Sequence, residues 1–180
     1  MWRSRSSLVL VMILLAALSR LIPHPPNFTP IGALALFSGA CSPSRLGAFA
    51  APLAALLVSD LGLAALHGDI SVGLHRLMPF VYGSFALIVL LGFRLRSRRT
   101  VASIALATLA GSMLFFVVTN FGVWLFSSFY PKSAEGLLAC YVAAIPFFRN
   151  TLLGDACYAA ALFGAWALAE KRILAPARSH

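Results

Sequence analysis

The 180-residue chain is 61% apolar and only 11% charged, with a formal net charge of +9. Soluble domains run nearer ~45–50% apolar and ~25% charged, and one this short leaves too much surface wet to hide the excess, so composition excludes a soluble fold. Nor does the positive charge point to nucleic acid, because Lys and Arg sit in short clusters between apolar runs, the pattern of membrane orientation signals.

In chain order, Arg3 and Arg5 precede the apolar stretch Leu8–Leu18, which resembles the n- and h-regions of a signal peptide. Leu18-Ser19-Arg20 offers a poor cleavage site and more apolar runs follow, so Ser7–Ile22 is read as a retained first span. Pro23, Pro25, Pro26 and Pro30 preclude a continuous helix through the first connection. His24–Thr29 is therefore expected to be extended and to feed a short second helix, Pro30–Cys41. At membrane depth such backbone is tolerated only inside protein or beside a water-filled cavity. Ser42-Pro43-Ser44 turns the chain into Leu46–His67, and His75–Leu95, Thr100–Phe126 and Asn150–Glu170 follow. These four reach the ~20 residues that a crossing needs.

Ala134–Phe148 is apolar enough for a seventh crossing, but Tyr130-Pro131-Lys132 and Arg149 flank it. With an inner N-terminus and six crossings, Arg3, Arg5, Arg45, Arg94, Arg96, Arg98, Arg99, Lys171, Arg172 and Arg178 are cytoplasmic. Arg20, Arg76, Lys132 and Arg149 are then outside, ten against four of the fourteen Lys and Arg, as the positive-inside bias requires. A seventh crossing weakens that split, so Ala134–Phe148 is read as an interfacial or re-entrant outer helix. The expectation is one domain, residues 1–180: an all-α polytopic transmembrane bundle of about six spans, with a short second helix and an extra outer interfacial helix. Small residues at four-residue spacing (Gly47, Ala51, Ala55; Ser103, Ala107, Gly111; Ala160, Gly164) let helices approach closely in lipid. The three cysteines show no C-x-x-C spacing and read as small buried residues, a Cys140–Cys157 bond being left open.

In lipid the informative side chains are the ionisable ones, each costing about 2.5–3.5 kcal/mol at mid-membrane. Asp60 falls roughly 10 Å from the outer end of its span and Asp155 roughly 8 Å, at 1.5 Å rise per residue. Asn120 and Trp124 share a face of the fifth span; Arg20 ends the first, Asn27 lies in the proline-rich segment, Arg149-Asn150 opens the last, and His75, Arg76 and Tyr82 belong to the outer half of the fourth. All converge on the outer half. Two readings stay open. In one, Asp60 and Asp155 neutralise Arg20, Arg76 or Arg149 in structural ion pairs. In the other, the cluster lines an outward-facing cavity walled by Tyr82, Trp124 and Tyr141, as pockets combine aromatic walls with a few polar groups. His67-x-Asp69 with His75 matches no established metal site, no phosphate-binding glycine pattern occurs, and no nucleophile elbow surrounds Ser112. Neither a metal, a cofactor nor an enzyme activity is expected.

The segments Pro26-Asn27-Phe28-Thr29-Pro30 running into Leu36-Phe37-Ser38-Gly39-Ala40, Phe115 to Trp124, and Pro146 to Asp155 resemble a family of small bacterial membrane proteins of unknown function, over nearly the whole chain. In layout alone the chain is also similar to the S components of energy-coupling-factor vitamin transporters, six-helix subunits that capture a vitamin on the outer side. It departs from them at the first helix, where Ala16 and Ala17 lack small residues at the i±4 positions; Ala35-x-x-x-Gly39 carries such a pattern instead. The resemblance implies a bacterial inner-membrane protein that binds a small solute such as a vitamin, and the charge split places both termini in the cytoplasm. Arg20, Asn27, Asp60, Asn120, Arg149, Asn150 and Asp155 are then the polar contacts, and Tyr82 and Trp124 stack on the ligand. A coupling transmembrane subunit and ATPases are the implied partners besides the bilayer. The alternative is a non-transporting scaffold whose polar cluster is an internal ion-pair network.

Overall fold

The computed structural model describes residues 2–19 and 25–172, and among them every regular element is helical. In order these are α1 (Trp2–Ser19), α2 (Ile31–Cys41), α3 (Arg45–His67), the single turn α4 (Ile70–Gly73), α5 (Met78–Phe93) with a 3₁₀ turn at Arg94–Arg96, α6 (Val101–Phe126) and α7 (Ala134–Arg172). Four helices are long and apolar enough to cross a membrane, and α1 and α2 are shorter apolar helices. The apolar side chains divide accordingly. On α1, Val9, Ile13 and Ala17 are buried at four-residue spacing while Leu10, Leu14, Leu15 and Leu18 face outward, the one-sided stripe of a helix packed against a bundle.

Local chemistry sets the helix ends. Ser44 caps α3 by accepting from the Gly47 N–H at 2.9 Å, and Gly68, at φ 65°, closes it in the left-handed conformation. Thr100 and Ser103 form a reciprocal capping box on α6.

α2 is the hub, packing against α1, α3, α5, α6 and α7. Ten of its eleven residues are buried, so its sequence is apolar all round rather than striped. Its tightest neighbour is α5, where the helices meet at Gly39 and Gly92. A Cβ on Gly39 would lie 3.0 Å from the Gly92 Cα, and one on Gly92 would lie 3.0 Å from the Gly39 Cα. Backbone meets backbone there because neither residue has a side chain. The Phe37 ring packs edge-on against Phe163 and Trp166 of α7, at centroid distances of 5.4 and 5.9 Å. Eleven residues at 1.5 Å rise reach about 16 Å, half of a ~30 Å hydrocarbon layer. α2 is thus a half-length helix whose N-terminus lies inside the bundle, preceded by the non-helical residues 25–30.

One expectation needs correction. Ala134–Phe148 is not a separate interfacial helix; it continues through Pro146 into the last span as the 39-residue α7. Pro146 lacks the N–H that would bond one turn back, which bends a helix without ending it when surrounding groups compensate. The pairing with α6 shows where α7 departs. From Asp155 to Glu170 α7 advances fifteen residues while its partners, Ser112 on α6 and Arg99 just before it, lie thirteen apart. From Asp155 back to Cys140 it again advances fifteen, but the partners Ser112 and Asn120 are only eight apart. The seven extra residues, about 10 Å of helix, carry α7 away from α6 around Pro146.

The cysteines are free: Cys41 and Cys140 are buried and Cys157 is exposed. Cys140 and Cys157 lie seventeen residues apart on one helix, about 25 Å, far beyond disulfide reach.

Candidate functional site

A half-length helix leaves polar backbone groups at both ends inside the bundle, and other helices satisfy them. Pro30 precedes α2 without a side-chain cap. Instead Asp155 of α7 accepts the Ala33 N–H at Oδ1, 3.0 Å away. Its Oδ2 lies 2.7 Å from the Ser112 hydroxyl of α6, whose single proton also faces the Thr108 carbonyl at 3.1 Å. Asp155 is 4% exposed, which decides that water does not satisfy these groups. Gly32 makes the approach feasible, since a Cβ there would lie 2.7 Å from Asp155 Oδ2. At the far end Arg96 donates from Nε to the Gly39 carbonyl at 2.8 Å and from a terminal nitrogen to the Ser42 carbonyl at 3.1 Å. An acid at the N-terminus and a base at the C-terminus both complement the helix dipole.

Beside the N-terminus of α2 lies a cavity of about 190 Å³. Its wall draws Asn27 and Thr29 from the proline-rich segment, Asp60 from α3, Tyr82 from α5, and Thr151 and Asp155 from α7, with Phe85 and Phe115 as aromatic surfaces. The Tyr82 hydroxyl donates to Asp60 Oδ2 at 3.0 Å, joining α5 to α3. A second cavity of about 200 Å³ shares Asn27, Phe115 and Thr151 with the first. It lies where α7 has departed from α6, and Phe116, Phe147 and Phe148 give it an aromatic lining. Asn27 stands at the junction with φ 62°, a left-handed conformation that asparagine tolerates better than most residues. Its segment is held by the Asn150 side chain, which donates to the Pro26 carbonyl at 2.9 Å, and by Gly154, where a Cβ would come within 3.1 Å of the Thr29 nitrogen.

Of the residues singled out from sequence, Asn27, Asp60, His75, Tyr82 and Asp155 meet at the first cavity and Asn120 lines the second. Asn120 turns its amide N–H onto the Phe116 carbonyl at 2.8 Å. Three others go elsewhere. Trp124 donates to the Pro131 carbonyl at 2.9 Å and lies under the Lys132 ammonium, fastening the α6–α7 connection. Arg149 is exposed, and Asn150 holds the strap rather than the cavity. Arg20 lies outside the described residues. Tyr141 is not a cavity wall either; its hydroxyl donates to the Val117 carbonyl at 2.8 Å. Thr29 and Thr151 were missed, although Thr151 stands one turn before Asp155 on the same face. The ion-pair reading does not describe Asp155, whose partners Ala33 and Ser112 are uncharged. Nor do His67 and Asp69 point at a shared metal: His67 bonds the Leu63 carbonyl of its own helix at 2.9 Å, and Asp69 caps α4 through Ser71 at 2.8 Å.

Comparison with known proteins finds a match over residues 2–177 to the model of a family of unknown function, DUF6580. No curated protein and no solved structure matches the chain, so the likeness to S components stands on layout alone.

Proposed function

From a chain that belongs to this family of unknown function, no activity is inherited, and we propose on geometry that it is a solute-binding membrane protein serving uptake. The observation that carries the reading is convergence: a non-helical strap and four helices send polar or aromatic side chains to one cavity beside the N-terminus of a half-length helix. Discontinuous helices ending near mid-membrane are how many transporters form their binding sites. Two neighbouring cavities of about 190 and 200 Å³, which share Asn27, Phe115 and Thr151, suit a small organic molecule, a vitamin being the size class in view. Asp60, Tyr82, Asn27 and Thr151 are its polar contacts, and Phe85, Phe115 and Phe148 its apolar walls. Energy comes from partners, a coupling membrane subunit and ATPases, because the sequence carries no phosphate-binding glycine motif. The distribution of Lys and Arg supports cytoplasmic termini.

The second reading, a non-transporting scaffold, draws on Asp155, whose hydrogen bonds knit α2, α6 and α7 without any ligand. Thermal unfolding of purified protein with a vitamin and metabolite panel separates the two. A ligand that binds only the folded form raises the melting temperature with its concentration, and Tyr82→Phe should weaken that response. If no compound shifts the transition, the scaffold reading replaces the transport one.

A further inference from the structure

Away from the cavities, α6 and α7 part on their outward side and leave a groove of about 630 Å³. Its walls are Ile104 and Leu109 of α6 and the small residues Ala156, Ala160, Gly164 and Ala167 of α7. A Cβ on Gly164 would meet nothing within 4 Å, so the side of α7 that Gly164 presents is open, while Phe163 and Trp166 pack inward. The surroundings are lipid-facing: Leu106 is 68% exposed and Leu168 57%, values that only a hydrocarbon solvent accommodates in a membrane span.

The groove is long. It runs from Leu152 to Glu170, eighteen residues or about 27 Å at 1.5 Å rise. Its walls along that length are mostly apolar or small side chains, so an extended acyl chain can lie along it. Charge identifies the rest of the occupant. At the mouth, Arg99 meets Glu170 at 3.4 Å in a pair whose side chains are 29% and 31% exposed, and the other terminal nitrogen of Arg99 donates to the Cys41 sulfur at 3.3 Å; a pair this exposed contributes little, so the guanidinium stays open to an anion. Arg98 and Lys171, their neighbours in the chain, are exposed, so three basic residues and one acid gather where the apolar spans end. Arginine presents a planar fork that matches phosphate, and basic residues at a membrane surface favour anionic lipid.

We propose that this groove is a binding site for an anionic phospholipid, with one acyl chain along Ala156–Ala167 and the phosphate among Arg98, Arg99 and Lys171. The site is independent of the solute cavity, since the two share no wall residue.

The test is native mass spectrometry and thermal unfolding of the purified full-length protein after delipidation, with palmitoyl-oleoyl phosphatidylglycerol or phosphatidylcholine added back. The expected result is a one-to-one phosphatidylglycerol adduct and a raised melting temperature, with a much weaker response to phosphatidylcholine. Arg99→Gln should lower phosphatidylglycerol affinity about fivefold, the worth of one basic residue at an anionic surface, and leave phosphatidylcholine unaffected. Ala160→Phe should abolish the adduct by filling the groove, and its lipid-free melting temperature reports whether the bundle still folds. Equal binding of both lipids overturns the proposal. So does an adduct retained by a folded Ala160→Phe protein, and so does a lipid-insensitive groove at which Ala160→Phe splits a dimer, which makes the occupant a second copy of this chain.

Discussion

Removing Asp155 tests the idea that one carboxylate caps a helix belonging to another part of the chain. Asp155→Ala strands the Ala33 N–H at the buried N-terminus of α2, whereas Ser112 keeps the Thr108 carbonyl 3.1 Å away as an acceptor. One orphaned buried donor is worth about 1–3 kcal/mol, which at ~2–4 °C per kcal/mol for a chain of this size lowers the melting temperature by roughly 5 °C. Asp155→Asn keeps a carbonyl for Ala33 and gives the Ser112 oxygen an amide N–H, so it should stay within about 1 kcal/mol of the wild type. Gly32→Ala pushes the carboxylate away by adding a Cβ 2.7 Å from Oδ2. Combined with Asp155→Ala it should therefore be non-additive by more than about 0.5 kcal/mol. The assay is equilibrium unfolding in mixed micelles, with tryptophan fluorescence as the signal. An Asp155→Ala protein within about 0.5 kcal/mol of wild type, the scatter expected of silent changes, would refute the cap. Asp155→Asn as damaging as Asp155→Ala would show instead that negative charge, not an acceptor, is what α2 requires.

Other outcomes follow from single contacts. Arg96→Ala removes two donors from the C-terminal carbonyls of α2 and should destabilise by about 1.5–3 kcal/mol; Arg96→Lys should recover only part of this in the same unfolding assay, because an ammonium lacks the fork. Gly92→Ala places a Cβ 3.0 Å from the Gly39 Cα and should destabilise by about 1–3 kcal/mol through overpacking, read as a lower denaturation midpoint. Because all three cysteines are free, reducing agent should leave the melting temperature unchanged, and a reductant-dependent shift would contradict the structure. Outside the bundle, the Ser71 hydroxyl and N–H hold the Asp69 carboxyl below its ordinary value of 3.8. A lowered folded pKa means the α4 cap is fully present above the unfolded value and is lost as pH falls through the folded one. Carboxyl-carbon NMR should therefore show Asp69 titrating below 3.8.

The long spans were legible because apolar run length and flanking turns suffice: Leu46–His67 and Thr100–Phe126 each lie within one residue of α3 and α6. The fate of Ala134–Phe148 was not, because Pro146 and Arg149 look like a boundary in one dimension. Whether a proline ends a helix or bends it depends on groups that only packing supplies. Half the site could be read from depth alone, since Asp60 and Asp155 are unusual wherever lipid surrounds them. Depth carries no azimuth, however. Trp124 and Arg149 sit at suitable heights, yet one fastens a loop and the other faces out. That α2 is a half-length hub was hinted at by its short apolar run and the four prolines leading into it. Its caps on α7 and beyond α5 lie at sequence distances no local pattern can express.

The solute-binding reading turns on whether the cavity is reached from water and filled by a ligand. Thr151 lines both cavities, so Thr151→Cys in a background with Cys41, Cys140 and Cys157 replaced by serine or alanine places a reporter at their junction. Alkylation by a water-soluble maleimide is the measurement. The account predicts that the thiol reacts in membranes and that a compound which stabilises the protein blocks the reaction with the same concentration dependence. A thiol that never reacts, or one whose reaction is indifferent to every stabilising compound, would contradict it.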